Sequence, residues 1–382
     1  MKTYKWFFLI LVSGIFYSCP GTSEEELVGD WQKRQTYLKN GCAFATSFVI
    51  GDKGYVIGGW NGTNTLRREM LEFDHTAGIE GGWKVLPLLP THIPARHQAV
   101  GFSLKGKGYM GTGWAYLGTE NETTLRDFWQ FDPRYNSWEE VAPLPAEAET
   151  RRGAIAFSLN VGGKEYGFVG CGYTGEPDKA YLSDFWKFDP EGTTDGKIGK
   201  WTPLEDEHDR YRGEKRSGAV VFVIENKAYI CAGEKPTNNY DFWMFDPNAD
   251  KNKQWEKKRS MNNSNPDEDY DDDYGSLGRA FGVSYVVSVG GKLRGHIVGG
   301  KTGSGYTNWE YNHDSLSENG DLWVQRTNFC NNRNNLTRQG MISFSFPSTG
   351  RAFVGLGISG GTPYDEMWEF IPLIEDYTYD DY

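Results

Sequence analysis

Only five cysteines occur in the 382 residues, and none stands in a CxxC or other zinc-ligand spacing. A structural zinc site is therefore not the organising principle of this chain. Cys171 and Cys231 fall inside apolar strand patterns, where a cysteine reads as a small buried hydrophobe. Cys42 and Cys330, near the two chain ends, are left open as a disulfide. The N-terminal apolar run from Trp6 to Tyr17 is too short to span a bilayer. A basic surplus is missing as well. Lys and Arg number 40 against 52 Asp and Glu, a net charge of −12, which argues against nucleic acid as a partner. No HExxH or paired-carboxylate signature appears. No cofactor is implied.

Glycine and aromatic residues are plentiful. The chain holds 48 Gly, 14 Trp, 22 Tyr and 22 Phe, a composition of tight turns and short aromatic strands. Three segments are nearly identical: Asp127 to Pro133, Asp184 to Pro190 and Asp241 to Pro247, each of the form Asp-Phe-Trp-x-Phe-Asp-Pro. Weaker copies begin at Glu69, Thr307 and Glu366. The second aromatic of each copy lies at 73, 131, 188, 245, 311 and 370, so the unit recurs six times with spacings of 57 to 66. Upstream of each copy is an apolar run, then a glycine-ended strand such as Tyr55 to Gly59 or Tyr109 to Gly113. Downstream is a tryptophan: Trp83, Trp138, Trp201, Trp255 or Trp323.

Each period therefore holds four short strands, a to d. One four-stranded sheet cannot bury both of its faces, but six in a ring can. The apolar strand a is expected to be innermost and buried on both faces. The sixth repeat lacks its downstream tryptophan, and Asp30-Trp31-Gln32-Lys33 at the chain start has the pattern of a d strand. The expected fold is an all-β, six-bladed propeller with four antiparallel strands per blade, its last blade closed by the N-terminal strand. Paired glycines, then an aromatic, then a tryptophan about one strand later resemble the kelch signature, in a divergent form because several glycine pairs are split. The resemblance runs from about Trp31 to the C-terminus. It brings with it a distant similarity to the propellers of galactose oxidase and of N-acetylneuraminate epimerase.

The ends have their own signals. Lys2 and Lys5 precede the apolar run, and Ser18-Cys19 closes it, as in a signal peptide cleaved before a lipid-bearing Cys19. Phe16 and Tyr17 depart from the usual lipobox and resemble the relaxed form found in the Bacteroidetes. The acidic cluster Glu24 to Glu26 resembles the surface-export signal of that phylum's lipoproteins. Weighed against this is an ordinary secretory signal followed by a solvated linker. The expected domains are a signal peptide over 1–18, an acidic tether over 19–29, the propeller over 30–372 and an acidic tail over 373–382. The expected location is the outer-membrane surface, with the periplasm as second choice. The acidic insertion Ser260 to Gly278 lacks calcium-loop spacing and reads as a solvated loop.

Counting back six residues from each strand-a aromatic gives Cys42, Arg96, Arg151, Arg216, Arg279 and Arg338. His97 and Arg152 adjoin two of them. Five guanidiniums at one channel mouth would form a cationic funnel suited to carboxylate, sulfate or phosphate. The competing reading pairs them with motif acids such as Asp127, Asp184 and Asp241. The residues just after the glycine pairs are Trp60, Trp114, Tyr173, Glu234, Lys301 and Ile358. Trp60, Trp114 and Tyr173 would offer stacking faces for sugars, or would simply pack on neighbouring loops. Galactose oxidase chemistry needs a copper set that the six histidines do not supply, since only His97 sits at a suitable position. A mutarotase needs an acid, a base and a clamp, for which His97, Glu234 and Glu176 are candidates. Three functions stand: a carbohydrate-binding surface lipoprotein taking neutral or acidic glycans, a sugar mutarotase of the sialic acid type, and a scaffold for an outer-membrane protein partner. Membrane contact is expected through the lipid anchor alone.

Overall fold

The structure is a computed structural model that describes residues 27–373 except 38, 64, 117–121, 176–180, 208, 263–275, 302–304, 315–322 and 330–336. Cys19, Glu176, Cys330, most of the acidic insertion and all but the first residue of the acidic tail lie outside the described residues.

Six four-stranded antiparallel sheets form the six blades of a propeller. The innermost strands are Thr46–Ile50, Val100–Leu104, Ile155–Val161, Val220–Ile224, Val283–Val289 and Ile342–Phe346. Each hairpins into a strand b, for example Lys107–Gly111, which pairs with a strand c such as Phe128–Asp132, and this with a strand d such as Ser137–Val141. The sixth blade takes its d strand from the chain start. Asp30–Arg34 pairs antiparallel with Met367–Ile371, so the two ends of the chain lock the ring. The one helical element whose residues are all described is a 3-10 turn, Ala146–Ala148.

The repeated aromatics build the same contact in every blade. The second strand-c aromatic meets the strand-d tryptophan at ring-centroid distances between 4.5 and 5.1 Å, from Phe245–Trp255 to Phe131–Trp138. Trp31 fills this role against Phe370 in the closing blade. Strands a and b add stacked pairs, as in Phe102–Tyr109 at 5.2 Å and Phe222–Tyr229 at 5.3 Å. Each such pair contributes about 0.5–1.5 kcal/mol beyond its buried area. Glycine sets the spacing between blades at Gly108, where a Cβ would lie 2.2 Å from the Phe48 ring of the preceding blade.

The innermost strands correct one expectation. They are not buried on both faces but alternate, as in Val100–Leu104, where buried positions 100, 102 and 104 flank half-exposed 101 and 103. The half-exposed face lines a central channel of about 360 Å³, where Ser103, Ser158, Ser284 and Ser343 are found. The hydroxyls of Ser158, Ser284 and Ser343 bond backbone carbonyls of the preceding inner strand, so these polar groups serve the ring itself.

Candidate functional site

The five arginines take the structural alternative. All are between 0% and 2% exposed. Arg96 grips both carboxylate oxygens of Asp127 at 2.6 Å, and Arg151 grips Asp184 at 2.8 and 2.7 Å. Arg216 pairs with Asp241 and Arg338 with Glu366, each through one Nη2–carboxylate contact. Each guanidinium of Arg96, Arg151 and Arg216 also donates to the carbonyl of the residue just after strand b, those of Thr112, Cys171 and Ala232. The acid is shared further. The indoles of Trp129, Trp186 and Trp243 donate to Asp127, Asp184 and Asp241 at 2.6 to 2.9 Å. The Asp-Phe-Trp motif is thus a bracket that ties the loop entering strand a to strand c of the same blade.

Blade five varies this plan. Thr307 replaces the acid, and Arg279 instead bonds the carbonyls of Leu277, Ser276 and Thr307 and the Thr307 hydroxyl. Burial without a carboxylate pushes its pKa down to about 10. The cationic funnel expected from Arg96, Arg151, Arg216, Arg279 and Arg338 is therefore corrected: their charges are spent inside the blades. In blade one Cys42 stands at the arginine position as a free buried thiol, pushed by burial to about 12.

Two residues beyond each of these positions the chain turns sharply around the axis. Phe44, Gln98, Gly153, Gly218, Phe281 and Gly340 all have φ between 53° and 63°. Their backbones form a closed cycle of six hydrogen bonds. Phe44 donates to Gly340, Gln98 to Phe44, Gly153 to Gln98, Gly218 to Gly153, Phe281 to Gly218 and Gly340 to Phe281, at 2.7 to 3.0 Å. The rings of Phe44 and Phe281 meet edge to face at 5.6 Å and lean over the space left at Gly340 and Gly218. This cycle narrows the channel to a neck, where a cavity of about 130 Å³ remains.

Above the neck lie the residues between the arginine positions and the cycle, bridged to the residues after the glycine pairs. The bridges are Ala43–Trp60, His97–Trp114, Arg152–Tyr173, Ser217–Glu234 and Gln339–Ile358, and Lys301 donates its backbone N–H to Ala280. All six blades meet the same backbone demand here, so the side chains are free to differ. They differ by sector. Around blades six and one stand Ala43, Trp60, Gln339 and buried Ile358, while blades two to five carry the charge, with the rings of Trp114 and Tyr173 beside it.

Within that sector the Arg152 guanidinium lies 3.9 Å from the Trp114 ring centroid and 5.3 Å from that of Tyr173. Tyr173 contacts Tyr181 at 5.1 Å. Burial first, and then the neighbouring Glu234, raise the Tyr181 pKa. Glu234 pairs with Lys301 at 2.9 Å. His97 is 8% exposed, 5.2 Å from Trp114, and its Nδ1 has no hydrogen-bond partner. Burial, with the Arg152 charge beside it, pushes its pKa down to about 4, so the imidazole is neutral at pH 7. Trp60 lies apart, its indole N–H bonded to the Thr63 carbonyl of its own loop.

Of the expected site residues, His97, Arg152, Trp114 and Tyr173 thus come together, joined by Glu234 and Lys301. Tyr181 was missed by sequence reasoning because it sits in a loop of variable length, eight residues past Tyr173, where counting by period gives no register. Among the described residues no group of three His, Cys, Asp or Glu could hold a metal ion.

No family model and no curated protein matches the chain. Solved structures do. That of YjhT superposes with a TM-score of 0.63 at 15% identity, over 87% of this chain and 95% of that one. A likeness at that identity carries the fold: the protein is a six-bladed β-propeller.

Proposed function

We propose that this chain is a kelch-type surface lipoprotein that binds carbohydrate, acidic glycans included, on the face above the neck. The observation that carries the reading is the one-sided sector of Trp114, Arg152, Tyr173, Tyr181, Glu234 and Lys301. Sugar rings stack their C–H faces on aromatic side chains, their hydroxyls and carboxylates accept hydrogen bonds from arginine and lysine, and their hydroxyls donate to glutamate. Nothing in the blade's construction demands the charged members of this set, because blade six has Gln339 and Ile358 at the same two positions and blade one has Ala43 and Trp60.

The neck favours binding over enclosed catalysis. Pockets that swallow a small ligand usually measure about 300–1,000 Å³, and the neck offers about 130 Å³. A mutarotase that engulfs a single sugar would need more depth. The mutarotase reading keeps one supporting feature, the neutral imidazole of His97, whose Nδ1 has no hydrogen-bond partner, beside Arg152.

The test is a glycan array with the body that follows Cys19, run for the wild type, Arg152→Ala and Trp114→Ala. Binding that both substitutions abolish, with unchanged thermal melting, supports the site. An NMR assay of anomer exchange on bound sugars separates binder from mutarotase. Silence across the array moves the weight to a protein-binding scaffold. Attachment through Cys19 is tested by Cys19→Ala, which should release the protein from the membrane fraction.

A further inference from the structure

We infer that the site takes a saccharide chain of two or more residues and has little affinity for a single sugar. This deepens the carbohydrate reading and rests on it.

The side chains concerned form one continuous arc around the neck. Trp114 belongs to blade two, Arg152, Tyr173 and Tyr181 to blade three, Glu234 to blade four and Lys301 to blade five. Successive contacts run 3.9 Å from Arg152 to Trp114, 5.3 Å from Arg152 to Tyr173 and 5.1 Å from Tyr173 to Tyr181. Tyr181 then adjoins Glu234, which reaches Lys301 at 2.9 Å. The arc is broader than one sugar ring. Its members alternate between flat rings and hydrogen-bonding heads, an order that suits a polymer whose every residue presents a C–H face and hydroxyls.

Depth is missing where a single sugar would need it. The cycle of six backbone hydrogen bonds narrows the axis to the neck, and the rings of Phe44 and Phe281 lie beside it. Among the described residues, a ligand therefore gains further contact sideways, along the arc. A monosaccharide would meet one stacking ring and one polar head. Each added residue brings another pair into play at low cost, because the second contact is made from an already tethered position. The backbone bridges hold the arc in place before a ligand arrives: His97 and Trp114, and likewise Arg152 and Tyr173, each exchange two backbone hydrogen bonds.

The experiment uses an array on which glucose, galactose, glucuronic acid, galacturonic acid and sialic acid are each printed as single residues and within di- and tetrasaccharides. The expected result is signal on tetrasaccharides at least about tenfold above that on the matching single residue. Arg152→Ala and Glu234→Gln, placed in different blades, should each lower tetrasaccharide affinity by about tenfold, with unchanged melting. Single residues bound as tightly as their chains would overturn the inference while leaving the carbohydrate reading intact. Loss on Arg152→Ala with none on Glu234→Gln would overturn it too, since the ligand would then touch one sector only. No signal on any glycan would remove both readings together.

Discussion

Trp31 and Phe370 stand directly opposite each other in the register of the closing blade, with ring centroids 5.0 Å apart. The indole N–H of Trp31 also donates to the Thr327 carbonyl of blade five at 2.9 Å. One residue near the chain start thereby joins the last blade to itself and to its neighbour. Trp31→Ala should cost about 3–5 kcal/mol, read as a lower urea midpoint. An unchanged midpoint would mean that the N-terminal strand does not close the ring.

Arg151 and Arg152 are adjacent in sequence and opposite in role. Removing the Arg151 guanidinium leaves Asp184 without its ionic partner and the Cys171 carbonyl without a donor. Arg151→Ala should destabilise the fold by about 3 kcal/mol, whereas Arg152→Ala should shift it by less than about 1 kcal/mol. Urea unfolding of the two variants side by side checks this. Equal losses would contradict the division between bracket and site.

Gly218 sits in the backbone cycle at φ +63°, and a Cβ there would lie 2.9 Å from the Phe281 ring. Gly218→Ala should therefore lose at least about 1 kcal/mol, seen as a lower melting temperature. A substitution such as Gly51→Ala keeps a positive φ but has open space around it, so it isolates the backbone contribution.

His296 is fully buried, stacked on Tyr285 at 4.7 Å, with Glu310, Asn308, Arg294 and Arg326 around it. Burial, the dominant cause, pushes its pKa down to about 4. The unfolded chain, with an ordinary histidine, takes up the proton first as pH falls. The stability that neutral His296 contributes is thus complete above about pH 6.5 and is lost as pH drops toward 4. Phenylalanine occupies the matching position at Phe168. His296→Phe should flatten this part of the stability profile, measured as urea midpoints between pH 7.5 and 4.5. A profile as steep as the wild type's would assign the acid loss to other groups.

The architecture was legible because it is written six times. Each Asp-Phe-Trp-x-Phe-Asp copy forms a strand c, and Trp31 at the chain start was recognisable as the missing sixth tryptophan. The burial of strand a was misjudged, because apolar composition does not reveal that a ring of six inner strands leaves an open axis between them.

The sequence by itself determined the number of blades, their strands and the closure, since a repeated pattern of turns and core residues admits one way of burying every sheet. It also marked which positions are equivalent. Only the tertiary structure decided where equivalent side chains point. An arginine's reach allows it to turn outward to a ligand or inward to Asp127, Asp184 or Asp241, and the half-buried acid with its indole donor draws it inward. The contiguity of Arg152, Tyr181, Glu234 and Lys301 was likewise beyond the one-dimensional pattern. It arises where neighbouring blades converge on the neck, bringing together loops that no local spacing relates.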